Sequence, residues 1–159
     1  MSKEIVIVSP HPDDEIIGNY EVLTKADKSI LIVYDADVYL ERREETKKIR
    51  DIFSNVKAQA FQTTIPQPFL QKSNTFYVPD PYFETHPVHR RWGFLGEQLA
   101  RQGFDVIFYS TIMNTPYIRE VEFSNLKESA LNNIYPSQET LWKYDNKYFL
   151  FEGHCKWIF

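Results

Sequence analysis

The chain has 159 residues, of which 43% are apolar and 25% charged, with a formal net charge of −4. That length holds one hydrophobic core rather than two, so residues 1–159 are expected to form a single domain. The negative balance argues against a nucleic-acid partner, and no run of about 18 apolar residues exists to span a membrane. One cysteine, Cys155, excludes an internal disulfide. The N-terminal MSKEIVIVSP lacks the longer apolar stretch and small-residue cleavage site of a signal peptide, so a cytoplasmic protein is expected. Aromatic residues reach 16%, enough to supply both core and the walls of a site.

Ile5 to Val8 is a short β-branched run and reads as a buried strand. Ser9-Pro10-His11-Pro12 ends it, because two prolines cannot continue a sheet ladder. Asp13, Asp14 and Glu15 open an apolar-rich stretch to about Lys25, and acidic residues suit the positive end of a helix. Ser29 to Tyr34 is a second buried strand, and Glu41 to Phe53 is helical by composition and spacing. Ala58 to Thr63 reads as a weak third strand. The proline-rich stretch Ile65 to Pro81 is expected to wrap the surface, with a short strand near Phe76 to Val78. Trp92 to Gln102 reads as a helix stopped by Gly103, Asp105 to Tyr109 as a strand, and Asn125 to Asn133 as a helix. The tail from Leu141 has strand-like aromatic runs, including Tyr148 to Phe151. Strands alternating with helices specify an α/β fold: a Rossmann-like, mostly parallel sheet with helices on both faces. Ligands of such sheets bind beyond the carboxyl ends of the strands, where the loop His11 to Asp14 falls.

His11 and Asp14 share one tight turn and can face one point. A catalytic zinc takes three protein ligands and keeps an open position for water, with donor atoms about 2.0–2.2 Å from the ion. Asp13, Asp14 and Glu15 could instead merely cap a helix, but a cap does not require the histidine. A third ligand must come from elsewhere. Four histidines exist, and two of them, His86 and His89, stand in His86-Pro87-Val88-His89 at the start of another expected helix. His154 and Cys155 are adjacent on a strand-like stretch and would point to opposite faces, which argues against a metal pair there.

These segments resemble a known family. SPHPDDEIIG, residues 9–18, resembles the AHPDDE signature of the PIG-L/LmbE-like deacetylases, and HPVHRRWG, residues 86–93, resembles the family's HPDHxxxG. Arg42-Arg43-Glu44-Glu45, Lys127 to Gln138 and Phe151-Glu152 echo further family segments in the same order. The resemblance implies that His11, Asp14 and His89 bind Zn²⁺ or another divalent cation. It makes Asp13 the general base and His86 the acid or electrophilic partner, with zinc-activated water attacking an acetyl or other acyl amide. It implies an N-acetylated amino sugar or glycoconjugate as substrate, so the expected partner is a small molecule or glycan.

Arg42, Arg43, Arg90 and Arg91 would suit a phosphate or carboxylate on that substrate, a solvated charged face being the bland alternative. Tyr82, Phe83 and Trp92 could stack on a sugar or serve as core. Tyr82 is also the candidate to supply a hydroxyl that the family places where Glu84 stands. Lys127, Ser137 and Gln138 read as structural supports near the site. Val88 replaces the family's Asp between the paired histidines, and the chain is short for the family. Both features also fit a non-catalytic module that binds a ligand or partner. A further alternative is an amidase acting on a thiol conjugate.

Overall fold

Five short apolar runs, separated by helical crossovers, pair in parallel. The computed structural model describes residues 3–34, 40–61 and 63–159. Its elements are β1 (Ile5–Ser9), α1 (Asp14–Lys25), β2 (Ser29–Val33), α2 (Leu40–Thr46), α3 (Ile49–Ile52), β3 (Val56–Phe61), β4 (Thr75–Pro79), α4 (Pro87–Arg101), β5 (Asp105–Tyr109), β6 (Ile118–Glu120), α5 (Ser124–Ile134), α6 (Glu139–Trp142), α7 (Lys147–Leu150) and β7 (Phe151–Cys155). The strands form one sheet in the order β3-β2-β1-β4-β5-β7-β6. Strands β1 to β5 run parallel, while β7 is antiparallel to both β5 and β6. This is the α/β architecture expected from the sequence.

Alternate residues of the central strands feed two apolar layers, as the twofold pleat requires. Ile7 and Leu31 join Ile16, Leu23, Leu131 and Trp142 on one face. Val6, Val8, Ile30 and Ile32 join Val78, Trp92 and Phe108 on the other. Helix α4 lies unusually close to the end of β4. A Cβ added at Gly93 would sit 2.6 Å from the Pro79 carbonyl oxygen, and one at Gly96 would sit 2.3 Å from Val78 Cγ2. Glycine at these two positions is what lets the helix press down on the strand.

Several boundaries differ from expectation. The helix expected over residues 41–53 is two helices, and Thr46 closes the first by donating from Oγ1 to the Arg42 carbonyl at 2.9 Å. Helix α4 starts five residues earlier than Trp92. Pro87 occupies its first turn, where an N–H would be orphaned anyway, and His86 caps it. Tyr148 to Leu150 is helical rather than extended, because Asp145 accepts the Lys147 N–H at 3.2 Å and starts a turn. The final strand is Phe151–Cys155 instead, and β6 carried no readable alternation. The third strand begins at Val56, and Gln62 of its expected span lies outside the described residues. No helix among the described residues is long and apolar enough to cross a membrane.

Helix α1 is kinked at Asn19, which has φ −139° and ψ 28°. Around the kink, the Glu21 N–H donates to Glu152 Oε1 at 3.2 Å, and the Ile17 carbonyl accepts from Lys127 Nζ at 2.6 Å. A straight helix would join those two main-chain groups to each other. Lys127 and Glu152 are both fully buried and ion-paired at 3.0 Å, so the pair bridges the broken turn. Burial pulls the Lys127 ammonium down and pushes the Glu152 carboxyl up, and each partner's charge opposes that shift. Of the residues expected to support structure near the site, Lys127 does so by holding the helix that begins at Asp14. We expect Lys127→Met to destabilise the fold by about 3–5 kcal/mol in urea unfolding, since it strands a buried carboxylate. Adding Glu152→Gln should recover part of that loss.

Candidate metal centre

In the sheet order, β1 lies between β2 and β4, so the chain's winding reverses between β1 and β4. The loops leaving the carboxyl ends of these two strands diverge and open a crevice, the usual ligand position in such sheets. Here a cavity of about 740 Å³ is lined by His11, Asp13 and Asp14 from the first loop and by Glu84, His86 and His89 from the second.

The first loop is held by its own hydrogen bonds. The Asp14 N–H donates to the His11 carbonyl at 3.1 Å, and the His11 N–H donates to Asp14 Oδ2 at 2.9 Å. Asp13 sits between them with φ 122°, a conformation that L residues rarely adopt and that costs about 1–3 kcal/mol. Buried Glu15 sustains it. Its Oε2 accepts the Asp13 N–H at 3.1 Å and the Ser9 hydroxyl at 2.7 Å, while its Oε1 accepts from the Tyr135 hydroxyl. The consequence is divergence. Asp14 turns its carboxylate back over His11, and Asp13 turns its own toward Arg42, whose Nη2 lies 3.0 Å from Asp13 Oδ2 and 2.7 Å from the Pro12 carbonyl.

His89 completes the arrangement from α4. Its Nε2 lies 3.1 Å from Asp14 Oδ2 and 3.1 Å from His11 Nδ1, and the His11–Asp14 separation is 3.6 Å. Three donors held about 2.0–2.2 Å from one tetrahedral ion stand about 3.3–3.6 Å apart, so a single cation fits this triangle once the two 3.1 Å separations open slightly. His86 adds a third imidazole. The ligating atoms of His11, His86 and His89 all lie within 4.8 Å of one another and could hold a metal ion. His86 is exposed, and its Nδ1 accepts the Val88 N–H at 3.2 Å, which places the ring's proton on Nε2.

The charges fit this geometry. Burial alone would raise Asp14, but the His89 charge and hydrogen bonds from His11 and His89 hold its carboxyl well below the ordinary range. Burial alone would lower His89, but Asp14 and Glu84 push it up to about 10. Asp13 goes the other way. Burial and then the Asp14 charge raise it well above an ordinary carboxyl, with Arg42 opposing. The two adjacent aspartates thus differ in kind: Asp14 is a firm anion, while Asp13 holds a proton far more readily.

The structure brings together His11, Asp13, Asp14, His86, His89 and Arg42 around one cavity. Arg43, Arg90 and Tyr82 do not line it. Arg90 donates to the Pro81 carbonyl at 3.2 Å and borders a separate cavity of about 630 Å³ on the far side of α4. Tyr82 is half exposed, its ring edge-on to Phe94 and Trp157 and its N–H bound to Asp80. Both are one helix turn or less from the motif in sequence, yet the handedness of α4 and the turn at Asp80 carry them outward. Thr111, Gln138 and Tyr148 also line the cavity; the sequence marks Gln138 as a support near the site and singles out neither Thr111 nor Tyr148 for it. Thr111 was the most findable, since it follows β5 and sits at a strand's carboxyl end. His154 Nε2 donates to Asn19 Oδ1 at 2.9 Å, while Cys155 faces Asp80, so the two do point apart.

No known protein-family model matches the chain, and no curated protein does.

Cation binding must displace the Nε2 proton that Asp14 stabilises on His89. Binding at pH 7 should therefore release close to one proton, and apparent affinity should rise about tenfold per pH unit below His89's elevated pKa. Calorimetric titration in two buffers of different ionisation enthalpy checks both.

Proposed function

We propose that this chain is a metal-dependent amide hydrolase that removes an acetyl or related acyl group from an N-acylated amino sugar or glycoconjugate. One observation carries the reading: Asp13 is adjacent to Asp14, lines the same cavity, and is directed away from the three-donor triangle. Holding a cation needs only the triangle, so the second carboxylate is available to move a proton. The two segments that resemble the PIG-L/LmbE-like signatures are the ones whose side chains meet, although 78 residues separate His11 from His89.

His11, Asp14 and His89 would hold the ion, and two imidazoles with one carboxylate suit zinc. A bound divalent cation supplies a Lewis acid for the amide carbonyl and makes water acidic enough to act near neutral pH. Asp13, with its raised pKa, accepts the proton of the attacking water. Arg42 orients Asp13 and opposes the rise in its pKa. His86, with its proton on Nε2, donates to the developing oxyanion or the leaving nitrogen. The Val88 main-chain N–H orients His86 from behind, a task the Val88 side chain cannot perform because it packs into the apolar layer. The cavity volume is within the range of sites that hold small ligands, and Ile17, Ile112, Leu141 and Tyr148 add an apolar wall suited to a sugar face.

One observation favours a second reading, a binding module without turnover: Arg42 already engages Asp13 at 3.0 Å. Zinc-loaded protein tested for amine release from a panel of N-acetyl amino sugars, their conjugates and an N-acetylated thiol conjugate separates the two. We expect Asp14→Ala to lose both metal and activity. Asp13→Ala should keep the metal and lose about 10²–10⁴ in kcat. Wild-type turnover in the Asp13 variant would sink Asp13 as the base, and no amine release by zinc-loaded wild type from any substrate would sink the hydrolase reading.

Arg42 gives an independent check through pH. Asp13 must be ionised to act, so kcat/KM is lost as pH falls through its raised pKa. Removing the neighbouring cation raises that pKa further. Arg42→Gln should therefore move the acid limb of the profile to higher pH and lower kcat, with KM little changed. A rise in KM with the limb unmoved would instead assign Arg42 to substrate binding.

A further inference from the structure

The ring of His89 has two nitrogens, and only one can face the donor triangle. Nε2 does so, which leaves Nδ1 to be accounted for. Nδ1 lies 3.2 Å from Thr111 Oγ1 and 3.4 Å from Glu84 Oε1. Glu84 Oε1 is already an acceptor, taking the Thr111 N–H at 2.8 Å and the Thr111 hydroxyl at 2.6 Å. The hydroxyl has one proton and spends it on Glu84, so Thr111 Oγ1 presents only lone pairs to His89. Both atoms facing Nδ1 are therefore acceptors. All three side chains are buried: Glu84 is 3% exposed, His89 6% and Thr111 7%.

We propose that Glu84 and Thr111 together are the positioning residues of the centre, fixing the orientation of His89 and holding a proton on its Nδ1, so that Nε2 is the nitrogen that faces Asp14 and His11 and gives up its proton to a cation. This rests on the cluster being a metal centre. It also assigns a role to Glu84, which stands where the resembled family carries an aromatic hydroxyl. The carboxyl at position 84 is directed at Thr111 and His89. It accepts from the end of β5 and locks the helix that leaves β4, so two neighbouring strand ends jointly set one ligand. Partners of this kind raise a ligand's basicity and fix its direction, and their loss costs about 10–100-fold in metal affinity.

The test is titration of zinc ion alone into wild type, Thr111→Val, Glu84→Ala and Glu84→Gln, with the His89 ring nitrogens followed by ¹⁵N NMR. Thr111→Val is nearly isosteric, so it carries the test if Glu84→Ala fails to fold. We expect Thr111→Val and Glu84→Ala to weaken zinc binding about 10–100-fold and to lose the slowly exchanging Nδ1–H signal. Glu84→Gln should restore most of the affinity, because its amide oxygen can take both Thr111 donors. Wild-type affinity together with an unchanged Nδ1–H signal in both Thr111→Val and Glu84→Ala overturns the positioning role. Failure of wild type to bind zinc overturns the metal reading instead, and the Nδ1–H signal in unloaded protein then still decides whether Glu84 and Thr111 hold the ring.

Discussion

Two carboxylates on neighbouring residues, buried in one cavity, repel each other unless the backbone sends them apart. A helical or extended backbone would leave that separation to the side chains alone. Here the main chain does it, through the positive φ of Asp13. Asp14 is directed into the His11–His89 pair and Asp13 into Arg42. That conformation is costly for a residue with a Cβ, and it persists because Ser9, Glu15 and Tyr135 fix the turn from beneath. The different protonation behaviour of the two aspartates follows from this one local geometry. Opposite-charge contacts hold Asp14 low, while burial beside another anion drives Asp13 high.

The second loop depends on strand order. Because β1 and β4 are neighbours, the residues that follow them share one rim although half the chain separates them in sequence. Gly93 and Gly96 let α4 settle onto β4 closely enough for His89, in its first turn, to reach Asp14. Glu84 and Thr111 extend the same logic to β5. The centre is thus assembled from three consecutive strand ends, each contributing a short polar segment that the sheet holds rigid.

Buried polar networks tie that rim to the rest of the molecule. Lys127 and Glu152 hold the kink of α1, and Glu45 accepts from the Ser137 N–H at 3.0 Å and from its hydroxyl. Arg42 and Glu45, one turn apart on α2, therefore join the base of the site to the loop bearing Gln138. Buried charges of this kind add little net stability over apolar packing, but losing one partner is costly. Their value here is registration: they connect α1, α2 and the C-terminal segments to the same small set of side chains.

The sequence by itself determined the class of fold, because buried parallel strands read as continuous apolar runs and their crossovers as helices. It also pointed to His11, Asp14 and the paired histidines, since a proline-bounded His-Asp turn at a strand end is informative without coordinates. It did not reveal that α4 begins at Pro87, that the 148–150 run is helical, or that β6 exists, because such short elements are decided by caps and neighbours rather than by periodicity. Only the tertiary structure separated Arg42 from Arg43, Arg90 and Tyr82. Proximity to a motif along the chain says nothing about which way a helix turns a side chain. Only the fold likewise showed Thr111 joining Glu84 at His89, because Thr111 lies 22 positions from His89 and 27 from Glu84, which leaves no spacing to read.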